Sequence, residues 1–412
     1  MSRDRLLERF LKYTEVDTTA GQPGGKYPSS DGQLVLGQML AQELRDMGLA
    51  DAEQDEFGLV YATVPGKVVG CPVVALNAHL DTSPETSGAN VKAQVIESYQ
   101  GGDICLPGDK SKVIRESENP ELVHLHGCTL ITTDGTTLLG GDDKAGLAII
   151  MEVAQRLMEN LDLKNGQVRI LFTCDEEIGH GVDHVDFAKL GADVCYTLDG
   201  PGANELNAET FSADLATVTI RGVNIHPSIA KGRMVNAVRA AAAFVAKLPV
   251  DRLSPETTAD REGFMHPYHV SGGVAETTVQ VILRSFENEE LQQQADLLRK
   301  VAGEIEIKFP GCQIAVDITP QYRNLRDGLA KEPRAVPLAE QAHRMLGRPV
   351  VQKVIRGGTD GSALTARGLP TPNLSSGQHN PHSPLEWACL DEMEQAVQLV
   401  LKLVELWSLE KK

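Results

Sequence analysis

The chain has 412 residues, 42% hydrophobic and 23% charged, an ordinary globular composition at a length that exceeds one hydrophobic core, so two domains are expected. Its 39 basic and 57 acidic side chains give a formal charge of −18, which repels a phosphate backbone and excludes nucleic acid as a partner. No apolar run approaches the roughly 20 residues of a membrane span, which excludes a membrane protein.

The opening residues MSRDRLLERF carry charge throughout and lack the apolar core and cleavage site of a secretory signal, so a cytoplasmic location is expected. The seven cysteines, at 71, 105, 128, 174, 195, 312 and 389, form no CxxC pair and are odd in number. They read as reduced, mostly buried thiols rather than a disulfide framework or a thiolate zinc knuckle.

Apolar runs bounded by turn residues at 59–64, 73–78, 168–173 and 194–198 read as strands buried on both faces. Helical patterns at 34–47 and 144–158 lie between them, the order expected of helices packed on a mostly parallel sheet. From about 213 the pattern changes to an alternating strand through 220, a helix over 234–247, a strand over 277–283, a helix over 288–301 and a strand near 314–318. The Gly- and Pro-punctuated segment 356–384 and an amphipathic helix over 390–407 then return to the first pattern. The expected organisation is a discontinuous domain, 1–210 and 321–412, interrupted by an inserted domain, 211–320.

The chemistry-bearing residues follow the strands. His79 and Asp81 come directly after the run 73–78, and the carboxyl ends of such strands are where open α/β sheets hold ligands. Residues two apart on extended backbone share a side, so the Asp81 carboxylate can fix the His79 tautomer and free the other nitrogen for a metal. Asp142 and Asp143 open an apolar helix; one aspartate is explained as an N-cap, whereas two adjacent ones repel unless a cation lies close. The buried run 168–173 ends in Asp175, Glu176 and Glu177, read either as a metal ligand beside a proton-accepting base or as a solvated acidic turn. Asp199 ends another strand before Gly200, where ordinary turn chemistry also accounts for it. The loop 377–386 carries His379 and His382, one a candidate ligand and the other a candidate substrate contact, or both surface groups. Mixed imidazole and carboxylate donors suit Zn²⁺, and also Co²⁺ or Mn²⁺.

HLDT at 79–82, TLITTDGTTLLGGDDKAGLA at 129–148, FTCDEEIGHG at 172–181, LDG at 198–200, HPSIAKGRMVNA at 226–237 and RGGTDGSAL at 356–364 resemble, in this order, segments of the M20 metallopeptidase family. The resemblance implies a zinc-peptidase-like α/β catalytic domain, with a mostly parallel sheet and helices on both faces, plus an inserted α+β ferredoxin-like lid domain. It implies an aminopeptidase that releases the N-terminal residue from tripeptides or short peptides, and a homodimer formed through the lid. It further implies that Asp142 bridges two metal ions, with His79 and Asp199 on one and Glu177 and His382 on the other, that Asp81 orients His79, and that Glu176 is the general base. His382 is preferred to His379 because the family's ligand precedes a glutamate by four positions, as His382 precedes Glu386. His226 is similar to the family's donor to the oxyanion and Arg284 to its substrate-binding arginine, while Arg356 lies beside two glycines, suited to a substrate carboxylate. The chain departs from the family pattern at Gln378, His379, Pro381, Ser383 and Pro384, which bears on recognition of the substrate's end group. The competing readings are another M20 amidohydrolase (dipeptidase, carboxypeptidase or N-acyl amino acid deacylase) and a non-catalytic peptide-binding protein. The latter is expected to have lost a ligand or the base, and here all are present.

Overall fold

The structure, a computed structural model, describes residues 2–22 and 24–412. The chain forms two compact units: the first comprises the residues up to Ala208, Asp327–Lys353 and Thr359–Lys412, and the second Glu209–Arg326 with Val354–Gly358.

The first unit is built on a mixed sheet. Its centre is parallel, in the order Val168–Thr173, Val74–His79, Val194–Pro201 and Asn373–His379. Antiparallel strands flank this centre, Val60–Val64 on one side and Trp387–Cys389 followed by Leu130–Thr132 on the other. Val168–Thr173, Val74–His79 and the first half of Val194–Pro201 are mostly apolar toward both faces because helices cover both, and Asn373–His379 is buried throughout although mostly polar. Val74, Leu76 and Ala78 enter one core with the helices Asp31–Asp46, Gly141–Glu159 and Leu390–Trp407. Ala75, Leu171 and Cys195 enter a second core with Leu190 and Leu364 of the short helices Phe187–Leu190 and Asp360–Ala366.

Helix Gly141–Glu159 is buried almost all round, as its apolar run requires. The exception in composition is Glu152, 0% exposed, which takes hydrogen bonds from Arg5 (2.8 and 2.9 Å), Arg9 (2.7 Å) and Arg156 (2.8 Å). Burial opposes its ionisation, but Arg5 and Arg156 outweigh burial and hold the carboxyl below its ordinary value. Among the described residues no helix is long and apolar enough to cross a membrane.

The second unit is an antiparallel sheet in the order Phe264–Gly272, Glu276–Ser285, Ser212–Arg221 and Gln313–Tyr322. The helices Ala237–Val245 and Asn288–Lys308 share its core, giving the βαββαβ order of a ferredoxin-like unit. Strand Phe264–Gly272 is absent from the sequence reading for a physical reason. It is an edge strand with five exposed residues, a proline and a register shift between Pro267 and His269, so its apolar alternation is weak and its proline is tolerated.

Candidate metal centre

Parallel pairing sets His79 opposite Thr173, and Asn77 opposite Thr197, so the carboxyl ends of three strands open at one edge. From that edge come His79, the turn with Glu176 and Glu177, and Asp199. Asp142 arrives from the start of the central helix, where Asp142 and Asp143 have non-helical dihedrals and the peptide between them is cis.

Asp142 lies between two imidazoles. Its Oδ1 is 3.0 Å from His79 Nε2 and its Oδ2 is 3.3 Å from His382 Nε2. A second carboxylate stands beside each ring: Asp199 Oδ1 at 3.9 Å from His79 Nε2, and Glu177 Oε2 at 3.0 Å from His382 Nε2. The result is two donor sets sharing one carboxylate. The donor atoms of His79, Asp142 and Glu177 all lie within 4.8 Å of one another.

His79 Nδ1 is 3.0 Å from the Asp81 carbonyl oxygen and 3.4 Å from its Oδ1. Nδ1–H therefore donates to the Asp81 backbone, which leaves the Nε2 lone pair for the centre. This differs in detail from the expected carboxylate contact. The Asp81 carboxylate instead accepts from the backbone N–H groups of Glu176 (3.1 Å) and Glu177 (3.0 Å) and so fixes the acidic turn.

The three acids of that turn divide their roles. Asp175, in left-handed backbone, accepts from Ser29 N (2.7 Å) and Gln33 Nε2 (2.7 Å) and anchors the start of helix Asp31–Asp46. Glu177 joins the centre, with its Oε1 buried and without a hydrogen-bond partner. Burial, followed by the Asp142 charge, pushes Glu177 up to about 7. Glu176 is pushed well above the carboxylate range, first by burial and further by Asp199, Asp360 and Glu177, with His79 opposing. Burial also raises Asp199, ahead of the Asp142 charge. Burial opposes protonation of both imidazoles, yet the carboxylates beside them outweigh it, holding His79 well above its ordinary value and His382 up at about 11. Such a cluster demands positive charge. Its mixed oxygen and nitrogen donors, shared carboxylate and orphaned Glu177 oxygen fit a pair of divalent cations.

Asp143 serves the helix instead. Its Oδ1 accepts from Gly146 N (3.1 Å) and its Oδ2 from His79 N (3.2 Å). Two residues that sequence reasoning did not assign hold the centre in place. Glu386, 1% exposed, accepts from the backbone N–H of Leu139 (2.7 Å), Gly140 (2.9 Å) and Asp142 (3.0 Å). Glycine is required beside it: Gly140 has φ +83°, and a Cβ on Gly141 would stand 3.1 Å from Glu386 Oε1. Gln378 donates to the carbonyl and to Oδ1 of Asp199, both at 3.1 Å. The four-residue spacing to His382 marked Glu386, but nothing local in the sequence marks Gln378.

His379 does not join the cluster. Its Nε2 is 2.6 Å from Glu392 Oε2 and its ring stacks on Trp387 at 3.7 Å. His382, in left-handed backbone, faces the acids while its carbonyl accepts from Thr86 Oγ1 (2.7 Å).

The remaining candidates belong to the second unit. His226 Nδ1 accepts from Ser228 N at 3.3 Å, which puts the proton of a neutral ring on Nε2. Arg284 Nη1 donates to the Arg356 carbonyl at 3.0 Å. Arg356, placed in the first domain by sequence and expected to bind a substrate carboxylate, groups with the second unit. Its Nη1 donates to the carbonyls of Asp260 (3.0 Å) and Glu262 (2.9 Å), its Nη2 to Thr258 Oγ1 (3.0 Å) and O (3.3 Å), and it lies over Phe211 and Phe264. These bonds commit the guanidinium to pinning the 258–262 loop.

The family model described as peptidase family M20/M25/M40 matches residues 140–406. The chain is 41% identical over 406 residues to peptidase T of Geobacillus kaustophilus, covering 98% of each chain. Among solved structures, a tripeptidase from Staphylococcus aureus superposes with a TM-score of 0.78 at 22% identity, over 99% of each chain. A dinuclear metal-binding M20 peptidase from Bacillus subtilis superposes with a TM-score of 0.63 at 16% identity, over 98% of each chain. At these identities the two superpositions show a shared fold.

Proposed function

The chain belongs to peptidase family M20/M25/M40, and from that premise we propose that it is a dinuclear metallopeptidase releasing the N-terminal residue of tripeptides. The observation that carries this reading is the Asp142 carboxylate with an imidazole at each oxygen and a further carboxylate beside each imidazole. His79 and Asp199 would hold one cation, His382 and Glu177 the other, and Asp142 both. When bound, the pair, read as Zn²⁺ with Co²⁺ or Mn²⁺ as alternatives, supplies Lewis acidity for the scissile carbonyl and lowers the pKa of water.

The chain's own groups do the rest. Glu176 accepts a proton from the attacking water and passes it to the departing amine as the C–N bond breaks, so neither a serine nor a cysteine nucleophile is needed. Its pKa, raised first by burial, favours proton uptake by this carboxyl. Asp81 holds the backbone of the Glu176 turn and His79 together, so base and ligand keep a fixed relation. Asp175 and Glu386 lock the two loops from behind. His226, with Nε2–H as its free donor, and Arg284 are proposed as substrate contacts of the second unit, and His226→Ala is expected to lower kcat more than it raises KM. Homodimer formation through the second unit and a cytoplasmic location complete the reading; molar mass by light scattering and fractionation of cells test them.

The experiment compares Ala-Ala-Ala with its N-acetylated form and with N-acetyl amino acids. Release of the first residue from the free tripeptide alone supports the proposal, and preferred cleavage of the acylated substrates overturns it. Glu176→Gln is expected to abolish turnover while metals stay bound; unchanged turnover removes Glu176 from the mechanism.

A further inference from the structure

A second set of metal-binding side chains lies outside the hydrolytic centre and shares no residue with it. The sulfurs of Cys128 and Cys389 and a carboxylate oxygen of Asp391 all lie within 4.8 Å of one another. We infer that Cys128, Cys389 and Asp391 form a separate site for one thiophilic divalent cation of the Zn²⁺ or Cd²⁺ class.

The backbone brings these residues together. Cys389 ends the strand Trp387–Cys389, pairs with Leu130 and is the N-cap of helix Leu390–Trp407. Leu390 N donates to the Thr129 carbonyl at 3.0 Å, which ties the residue after Cys128 to the residue after Cys389. The Asp391 carboxylate is already oriented: its Oδ2 accepts from Thr129 N (2.7 Å) and Arg3 Nη2 (2.8 Å). Among the described residues both hydrogen bonds to this carboxylate fall on Oδ2, which leaves Oδ1 for a metal. Outer donors that fix one carboxylate oxygen and leave the other are the usual support of a metal ligand. Burial, then the Glu392 charge, holds the Cys389 thiol well above its ordinary value, with the amides of Glu392 and Asp391 opposing, so the thiolate forms only as the cation binds.

Charge balance favours the site in both forms. With two thiols, Asp391 and Arg3 sum to zero. With two thiolates and a divalent cation the sum is again zero, because each S–H proton leaves to solvent as its S–metal bond forms. The ion thus replaces two protons without leaving net charge among Leu122, Leu125, Leu130 and Trp387 of the surrounding core. Cys389 is buried and Cys128 half-buried, so Cys128 provides the side of entry and the position for a fourth, water ligand. The bare alternative is two thiols filling an apolar core.

The test titrates Cd²⁺ into metal-stripped, fully reduced protein and follows thiolate-to-cadmium ultraviolet absorption, proton release and metal content. The oxygen and nitrogen donors of the hydrolytic centre give no thiolate band, so the two sites are read apart. The expected result is a saturating band with the amplitude of one two-thiolate ion per chain, lost in Cys128→Ser and needing on the order of tenfold more Cd²⁺ in Asp391→Asn. Absence of the band from the native protein, or a band unchanged in Cys128→Ser, overturns the inference. Half-buried Cys128 is the deciding position, because Cys389→Ser risks the fold itself.

Discussion

Glu386 offers a test of how the centre is held. Its carboxylate receives three backbone N–H groups, two at Oε2 from Leu139 and Gly140 and one at Oε1 from Asp142. Truncation in Glu386→Ala strands all three donors in a buried loop. A stranded buried donor costs about 1–3 kcal/mol, and relaxation of the loop recovers part of the sum, so a loss of about 3–5 kcal/mol is expected. Glu386→Gln keeps an oxygen for Leu139 and Gly140 but turns an NH₂ toward the Asp142 N–H, so its cost is about 1–3 kcal/mol. Because Asp142 is the shared ligand, metal affinity should fall as well, by about 10–100-fold in Glu386→Ala. Denaturant unfolding gives the first quantity and chelator competition the second. A variant that loses stability but binds metal as the native protein does refutes the positioning role.

Two further outcomes follow from groups away from the centre. Glu152→Ala removes the buried carboxylate shared by Arg5, Arg9 and Arg156 and leaves Arg9, 6% exposed, with Glu43 alone as its carboxylate; it is expected to cost about 3 kcal/mol in denaturant unfolding, with hydrolysis by folded enzyme unchanged. His343 is 0% exposed with neither ring nitrogen partnered, and burial, then Arg348, pushes it down to about 4. The folded state therefore keeps this ring neutral while the unfolded chain protonates it below its ordinary value of 6.5, so its contribution is full above pH 6.5 and is lost as pH falls toward 4. His343→Leu should flatten that acid limb by up to one proton and raise stability at pH 7 by roughly 1 kcal/mol; urea midpoints measured across that range check both.

Three of the four central strands of the first sheet were legible because each is a short apolar run ended by a turn or an acid, whereas Asn373–His379, whose sequence NLSSGQH has no apolar run, was not. The expected strand over 168–173 is Val168–Thr173 and the expected helix over 390–407 is Leu390–Trp407. Of the antiparallel flanks, Val60–Val64 falls within the expected strand over 59–64, whereas Leu130–Thr132 and Trp387–Cys389 were not legible, since they have three residues each and no period can be read from so few. In the site, residue type and position marked the segments, the resemblance to the M20 family singled out His79, Asp142, Glu177, Asp199 and His382, and the structure gathers their side chains. Arg356 was marked by its neighbouring glycines, which suggested room for a ligand. The guanidinium instead meets carbonyls of a loop about 95 residues earlier in the chain, a contact no local pattern encodes. Glu386 and Gln378 escaped for the same reason: their partners at 139–142 and 199 are distant in sequence.

The shared ligand is the point on which the account turns, and metal content per chain in Asp142→Ala measures it most directly. In a Cys128→Ser background, which removes the separate thiolate site, the native centre is expected to carry two ions, His382→Ala to keep a single tight one, and Asp142→Ala to lose tight binding of both together with hydrolysis of Ala-Ala-Ala. An Asp142→Ala protein that is folded and still holds two tight ions contradicts the bridging arrangement.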